Sequence, residues 1–126
     1  MANEINFNGS INIRKGNYVD QFSPGSITMD LADPTGDGGV QEICFLATCA
    51  QGEAIGVTDV TVGGVFFFRN LDDTNYVEIG TQVSGTFYPF LKLLAGEYAI
   101  GRLGTAAPYA RANSGLVDLQ YRILSP

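Results

Sequence analysis

Val65-Phe66-Phe67-Phe68-Arg69-Asn70-Leu71-Asp72-Asp73-Thr74-Asn75-Tyr76-Val77-Glu78-Ile79 is the stretch that decides the fold class of this chain. The apolar run at its start is strand-sized. Successive side chains of a strand point to opposite faces, so three consecutive phenylalanines cannot all enter one core. Turn chemistry follows at once. Asp and Asn side chains hydrogen-bond their own backbone and tolerate unusual φ, and four of the six residues at 70–75 are of these types. Strands at 65–69 and 76–79 around such a turn read as a hairpin.

Outward from this stretch the same period continues. Towards the C-terminus, 80–85 reads as a connection and 87–94 as a strand. Pro89 lies inside that strand and lacks a ladder donor, which implies an edge position or a bulge near it. The segment 95–97 reads as a turn into a strand at 98–103, 104–108 as a loop and 109–112 as a short strand. In the last strand Val117, Leu119, Tyr121 and Ile123 alternate with Asp118, Gln120 and Arg122. Towards the N-terminus, Ile5, Phe7, Gly9, Ile11 and Ile13 alternate over one long or bent strand, with Gly9 a candidate bulge. The segment 15–25 reads as a connection, and Ile27, Met29 and Leu31 as a second strand. The densest cluster of breakers, 32–39, reads as a loop, 40–48 as a strand apolar on both faces, and 54–62 as a looser strand.

About nine or ten short strands, spaced roughly 8–12 residues apart and with no helix, predict an all-β chain. The expected architecture is a single β-sandwich domain over residues 1–126, jelly-roll-like, with an immunoglobulin-like sandwich as second choice.

Composition excludes several functions. The chain of 126 residues has 13 acids against 7 bases, a net charge of −6. The bases are scattered, only Arg14 and Lys15 being adjacent, whereas nucleic-acid binding needs a clustered basic footprint. Anionic membranes are disfavoured for the same reason. The start has no basic and apolar signal pattern, and no apolar run is long enough to span a bilayer, so a soluble protein made in a cytoplasm is expected. There is no histidine. The commonest general base and metal ligand is therefore missing, so the expectation is a protein that is not an enzyme, with no catalytic residue and no cofactor.

Glycine-rich 36–39 is no phosphate loop, because Val40 stands where the loop's lysine belongs. Asp33-Pro34-Thr35-Gly36-Asp37-Gly38 echoes the start of a calcium loop, but Cys44 occupies the position of the closing bidentate Glu. An acidic loop without a metal is the reading. Cys44 and Cys49 read as two buried, reduced thiols.

Eight Phe and six Tyr in strands apolar on both faces point to burial against another subunit. The candidate contact residues are Asn70, Asp72, Asp73 and Tyr76 of the turn, and Phe87, Tyr88 and Phe90 of the strand that follows. A homo-oligomer is expected.

The segment from Phe66 to Gly80 resembles a family of small structural proteins of tailed-bacteriophage particles. Gly85-Thr86-Phe87-Tyr88-Pro89-Phe90, the 93–103 stretch with Gly96-Glu97, and Ala110-Arg111-Ala112-Asn113 accompany it. The 1–22 region and Gly38-Gly39-Val40-Gln41 resemble the family more loosely. The resemblance implies a virion component: a capsid cement or decoration protein whose partner is the major capsid protein, or else a tail or head–tail connector subunit. It implies no catalytic residue. A carbohydrate-binding sandwich is the alternative from another class.

Overall fold

Alternating apolar residues become twelve β-strands in the computed structural model, which describes residues 4–32, 36–58, 60, 64–104 and 108–125. The described residues contain no helix. They form two compact units, one within Met1–Ala32 and the other within Asp33–Ser125.

The larger unit holds eight strands: β5 (Gly36–Ile43), β6 (Glu53–Ala54), β7 (Val65–Asn70), β8 (Val77–Val83), β9 (Thr86–Leu93), β10 (Tyr98–Arg102), β11 (Tyr109–Ala112) and β12 (Val117–Leu124). They make two four-stranded antiparallel sheets, β10-β7-β12-β5 and β6-β11-β8-β9. If the eight are counted in chain order, one sheet runs sixth, third, eighth, first, and the other second, seventh, fourth, fifth. The two sheets share one core. Ile43, Phe66, Phe68, Val117, Leu119 and Ile123 enter it from the first sheet, and Val77, Ile79, Leu93, Ala110 and Ala112 from the second. Phe67 alternates out of it and is only half-buried, as the period demands.

The smaller unit holds β1 (Ile5–Asn8), β2 (Ile11–Lys15), β3 (Tyr18–Phe22) and β4 (Ser26–Met29). β2 pairs with β3 across the two-residue turn Gly16-Asn17, and β1 pairs with β4. The result is a long nested ribbon, two strands wide throughout and interrupted at Gly9-Ser10 and at 23–25. The expected connection at 15–25 therefore contains a strand, β3. Its sequence, Tyr18-Val19-Asp20-Gln21-Phe22, lacks the clean alternation that marks a half-buried strand, because neither face is covered.

Four further expectations are corrected. The 70–75 turn does not close a hairpin, since β7 and β8 belong to different sheets. It is an arch that carries the chain across the core. The glycine-rich 36–39 segment is strand and not loop: Gly36 pairs with Leu124 and Gly38 with Arg122. The strand expected over 40–48 stops at Ile43, and 46–48 is a turn. Cys44 and Cys49, expected as free thiols, are joined in a disulfide with Cα atoms 5.9 Å apart. The strand end and the turn bring them together, which spacing along an imagined extended strand would forbid.

Pro89 behaves as its chemistry requires. β9 is an edge strand, and its register against β8 shifts between Ile79 and Gly80, so that Phe90 is the extra residue of a bulge. β8 runs straight through the expected 80–85 connection, leaving only Ser84-Gly85 as the hairpin turn. Both turn residues have positive φ, 51° and 80°, the pattern of the two-residue turn whose twist matches its strands.

Candidate interaction surface

Asn70 ends β7 with its side chain fully buried. Its amide nitrogen donates to the carbonyls of Asn75 at 2.8 Å and Leu93 at 3.1 Å, while its Oδ1 accepts from the Asp72 N–H at 2.8 Å. Its backbone joins the neighbouring arch as well: Asn70 N–H donates to Glu97 O, and Gly96 N–H donates to Asn70 O. One side chain thus holds together the two arches that link the sheets, β7 to β8 and β9 to β10. Asn70 is a positioning residue for the corner and presents nothing to a partner.

Asp72 is absorbed into the same corner. Its Oδ2 accepts from the backbone N–H groups of Thr74 at 3.0 Å and Asn75 at 2.6 Å. The Asn75 and then the Thr74 hydrogen bond hold its carboxyl below the usual carboxylate range, against a small opposing effect of burial. Asp73 accepts from the Thr74 hydroxyl at 2.8 Å and is exposed. Tyr76 is half-buried, with the Lys92 ammonium 4.2 Å from its ring centre.

The candidate residues on β9 divide by face. Phe87 is buried, under the Arg111 guanidinium at 4.8 Å from its ring centre and against Gly52, where a Cβ would meet the ring at 2.8 Å. Arg111 also pairs with Glu78 at 3.1 Å and donates to Ala50 O at 2.7 Å, so it pins the segment after the disulfide onto the β6-β11-β8-β9 sheet. Tyr88 and Phe90, in contrast, are 54% and 53% exposed at the open edge of that sheet. Of the seven candidates, Tyr88, Phe90 and Asp73 are the ones whose side chains a partner could reach freely.

The ribbon carries an apolar surface that the sequence reasoning did not single out. Ile11, Tyr18, Val19, Phe22 and Ile27 are each about half exposed or more. Ile11 faces Phe22 directly across the ribbon, Lys15 faces Tyr18, and Arg14 faces Val19. The signal for it was Gly16-Asn17, a two-residue turn between apolar segments.

No family model matches this chain, and neither do any curated protein or solved structure. Function must therefore be argued from the surfaces themselves. Asp37 cannot serve as a free metal ligand. It is buried, and its two carboxylate oxygens accept from the Thr58 and Val60 N–H groups at 3.0 and 3.1 Å. Asp33, the other acid of the expected loop, lies outside the described residues. Among those described, no three His, Cys, Asp or Glu side chains are grouped to hold a metal ion. Among the described residues, exposed aromatic and aliphatic side chains include a set on the ribbon and the pair Tyr88 and Phe90 on an open sheet edge.

Proposed function

We propose that this chain is a non-enzymatic structural subunit of a tailed-phage particle: a capsid cement protein that binds the coat-protein shell and stabilises it. The observation that carries the reading is the exposed apolar ribbon of β1–β4. A ribbon only two strands wide is marginal in water by itself. Ordering each of its residues costs about 1–2 kcal/mol of backbone entropy. Burying a large apolar side chain returns about 1.5–3 kcal/mol, but five of these side chains remain largely in solvent. A neighbouring subunit that covers them supplies the missing stabilisation. A capsid shell offers such neighbours in symmetric, repeated sites, and a ligand that binds only the assembled shell stabilises it by mass action.

Two further considerations support the reading. The motifs around 65–80 and 85–90 resemble those of small virion proteins. We also read the strand order of the sandwich as that of a jelly roll, an architecture used by viral capsid and lectin domains. The partner on this reading is the major capsid protein, the chain is a homo-oligomer, and its place is the virion.

Cryo-electron microscopy of the particles encoded with this chain is the direct test. Density of the sandwich at coat-subunit junctions over the whole shell is expected. Density confined to the tail or to one vertex would replace the cement role with that of a tail or connector subunit, and absence from every particle would remove both.

A further inference from the structure

The outer face of the β10-β7-β12-β5 sheet holds a feature that neither contact surface uses. On adjacent strands, Arg122 stands beside Phe67 and Gln120 beside Arg69. Across β10, Ile100 pairs with Phe67 and Tyr98 with Arg69, and across β5, Val40 pairs with Gln120 and Gly38 with Arg122. These residues share one face, because Phe66, Phe68 and Asn70 take the alternate, buried positions. The rings of Phe67 and Tyr98 stack at 6.0 Å between centroids and 27° between planes. Gly39, Val40, Phe67, Gln120, Tyr121 and Arg122 line an open groove of about 300 Å³. Gly38 makes room beside it: a Cβ there would meet Arg122 Cδ at 2.8 Å and a guanidinium nitrogen at 2.9 Å. Arg122 therefore lies along the sheet at the groove's edge.

The charge is local and unspent. The chain carries −6 overall, yet two arginines stand diagonally across this face, a separation of roughly 7–8 Å. Neither Arg69 nor Arg122 pairs with any described residue, whereas Arg111 on the other sheet is fully engaged. The acids of this face, Asp118 and Glu42, face each other one step further along β12 and β5. They leave the Arg122 side as the end that accepts an anion.

We propose that this groove binds an acidic sugar, a hexuronate or sialate unit of a glycan. The flat apolar face of the pyranose ring lies on Phe67, against which the Tyr98 ring stacks. The carboxylate is held by Arg122, whose planar fork matches it with paired, charge-assisted hydrogen bonds. The Gln120 amide, on the same face two residues before Arg122, donates to and accepts from ring hydroxyls. The volume suits a single ring, at the small end of ligand sites. A neutral sugar leaves the Arg122 guanidinium without an anion, and an acidic peptide side chain lacks the flat ring that Phe67 accommodates. This site uses no residue of the ribbon, and the particle role does not depend on it.

Amide-resolved NMR titration of the whole chain tests the proposal, with glucuronate, N-acetylneuraminate, glucose, acetate and a glutamate-rich peptide as probes. Saturable shifts centred on Phe67, Gln120 and Arg122 are expected with at least one of the two acidic sugars, with glucose and acetate at least about tenfold weaker. Arg122→Gln should weaken that binding about tenfold, and Arg69→Gln, outside the groove lining, should weaken it less, while amides of β8 and β9 stay in place, which shows that the fold is kept. Failure of both acidic sugars to saturate would overturn the proposal. So would acetate or the peptide binding as tightly as the sugar, or unchanged binding in Arg122→Gln.

Discussion

Asn70 shows how a residue with contact chemistry becomes a structural one. Its amide satisfies two carbonyls and one N–H at the corner where both arches meet. Asn70→Ala leaves those three groups without partners in a dry site and is expected to lower unfolding stability by about 2–4 kcal/mol, read as a drop in the urea midpoint. Asn70→Asp keeps the acceptor but cannot donate, so it should cost no less. Asp72 gives a pH signature. Its folded-state carboxyl is held low by the Asn75 and Thr74 N–H groups, so its contribution is present above the usual carboxylate value, about 3.9, and is lost as pH falls through the lower folded value. Urea midpoints measured from neutral to acid pH should fall more steeply for the wild type than for Asp72→Asn. Equal slopes would mean that the corner does not discriminate between the two forms of the carboxyl.

At the scale of elements, the β8–β9 hairpin depends on a close approach and the 44–52 segment on a cross-link. A Cβ at Gly80 would overlap the Tyr88 carbonyl beside the Phe90 bulge. Gly80→Ala should therefore destabilise by at least about 2 kcal/mol, whereas Gly104→Ala, which meets nothing within 4 Å, is the near-neutral control. Thermal melts of the two variants decide it. The Cys44–Cys49 disulfide closes a short loop, and the segment beyond it is held by Arg111 and packs Gly52 on Phe87. Removing so short a cross-link should cost about 2 kcal/mol. Reductant should lower the melting temperature of the wild type and leave a Cys44→Ser/Cys49→Ser double variant unmoved.

For the whole molecule, the ribbon is the element that most needs a neighbour. Ile11 and Phe22 pair across it in solvent, so Ile11→Ser/Phe22→Ser removes apolar area without emptying a core. Sedimentation should show the wild type self-associating with concentration and the double variant remaining monomeric, with far-ultraviolet circular dichroism unchanged. A wild type that stays monomeric at high concentration would place the ribbon's partner on another protein. Oligomers that persist in the double variant would move the interface elsewhere, with exposed Tyr88 and Phe90 the next surface to change.

What the sequence determined by itself is everything carried by neighbouring residues. Period-two alternation in Val117–Leu124 placed the last strand, and the missing N–H of Pro89 pointed to an edge or a bulge, of which β9 has both. Three phenylalanines in a row could not all enter one core, and the structure makes Phe67 the one that leaves it. Tertiary structure alone decided which strand pairs with which. Asn70-Leu71-Asp72-Asp73 has the same turn chemistry in an arch as in a hairpin, and only the entry of Phe68, Val77 and Ile79 into one core from two different sheets separates the two. Gly36–Gly39 has the composition of a loop until Leu124 and Arg122 pair with it. Local signals are energies within one segment, whereas the pairing of β12 with β5 and β7 and the outer-face groove arise between segments tens of residues apart. Burial of the whole core fixes those distances, and no short stretch of sequence encodes it.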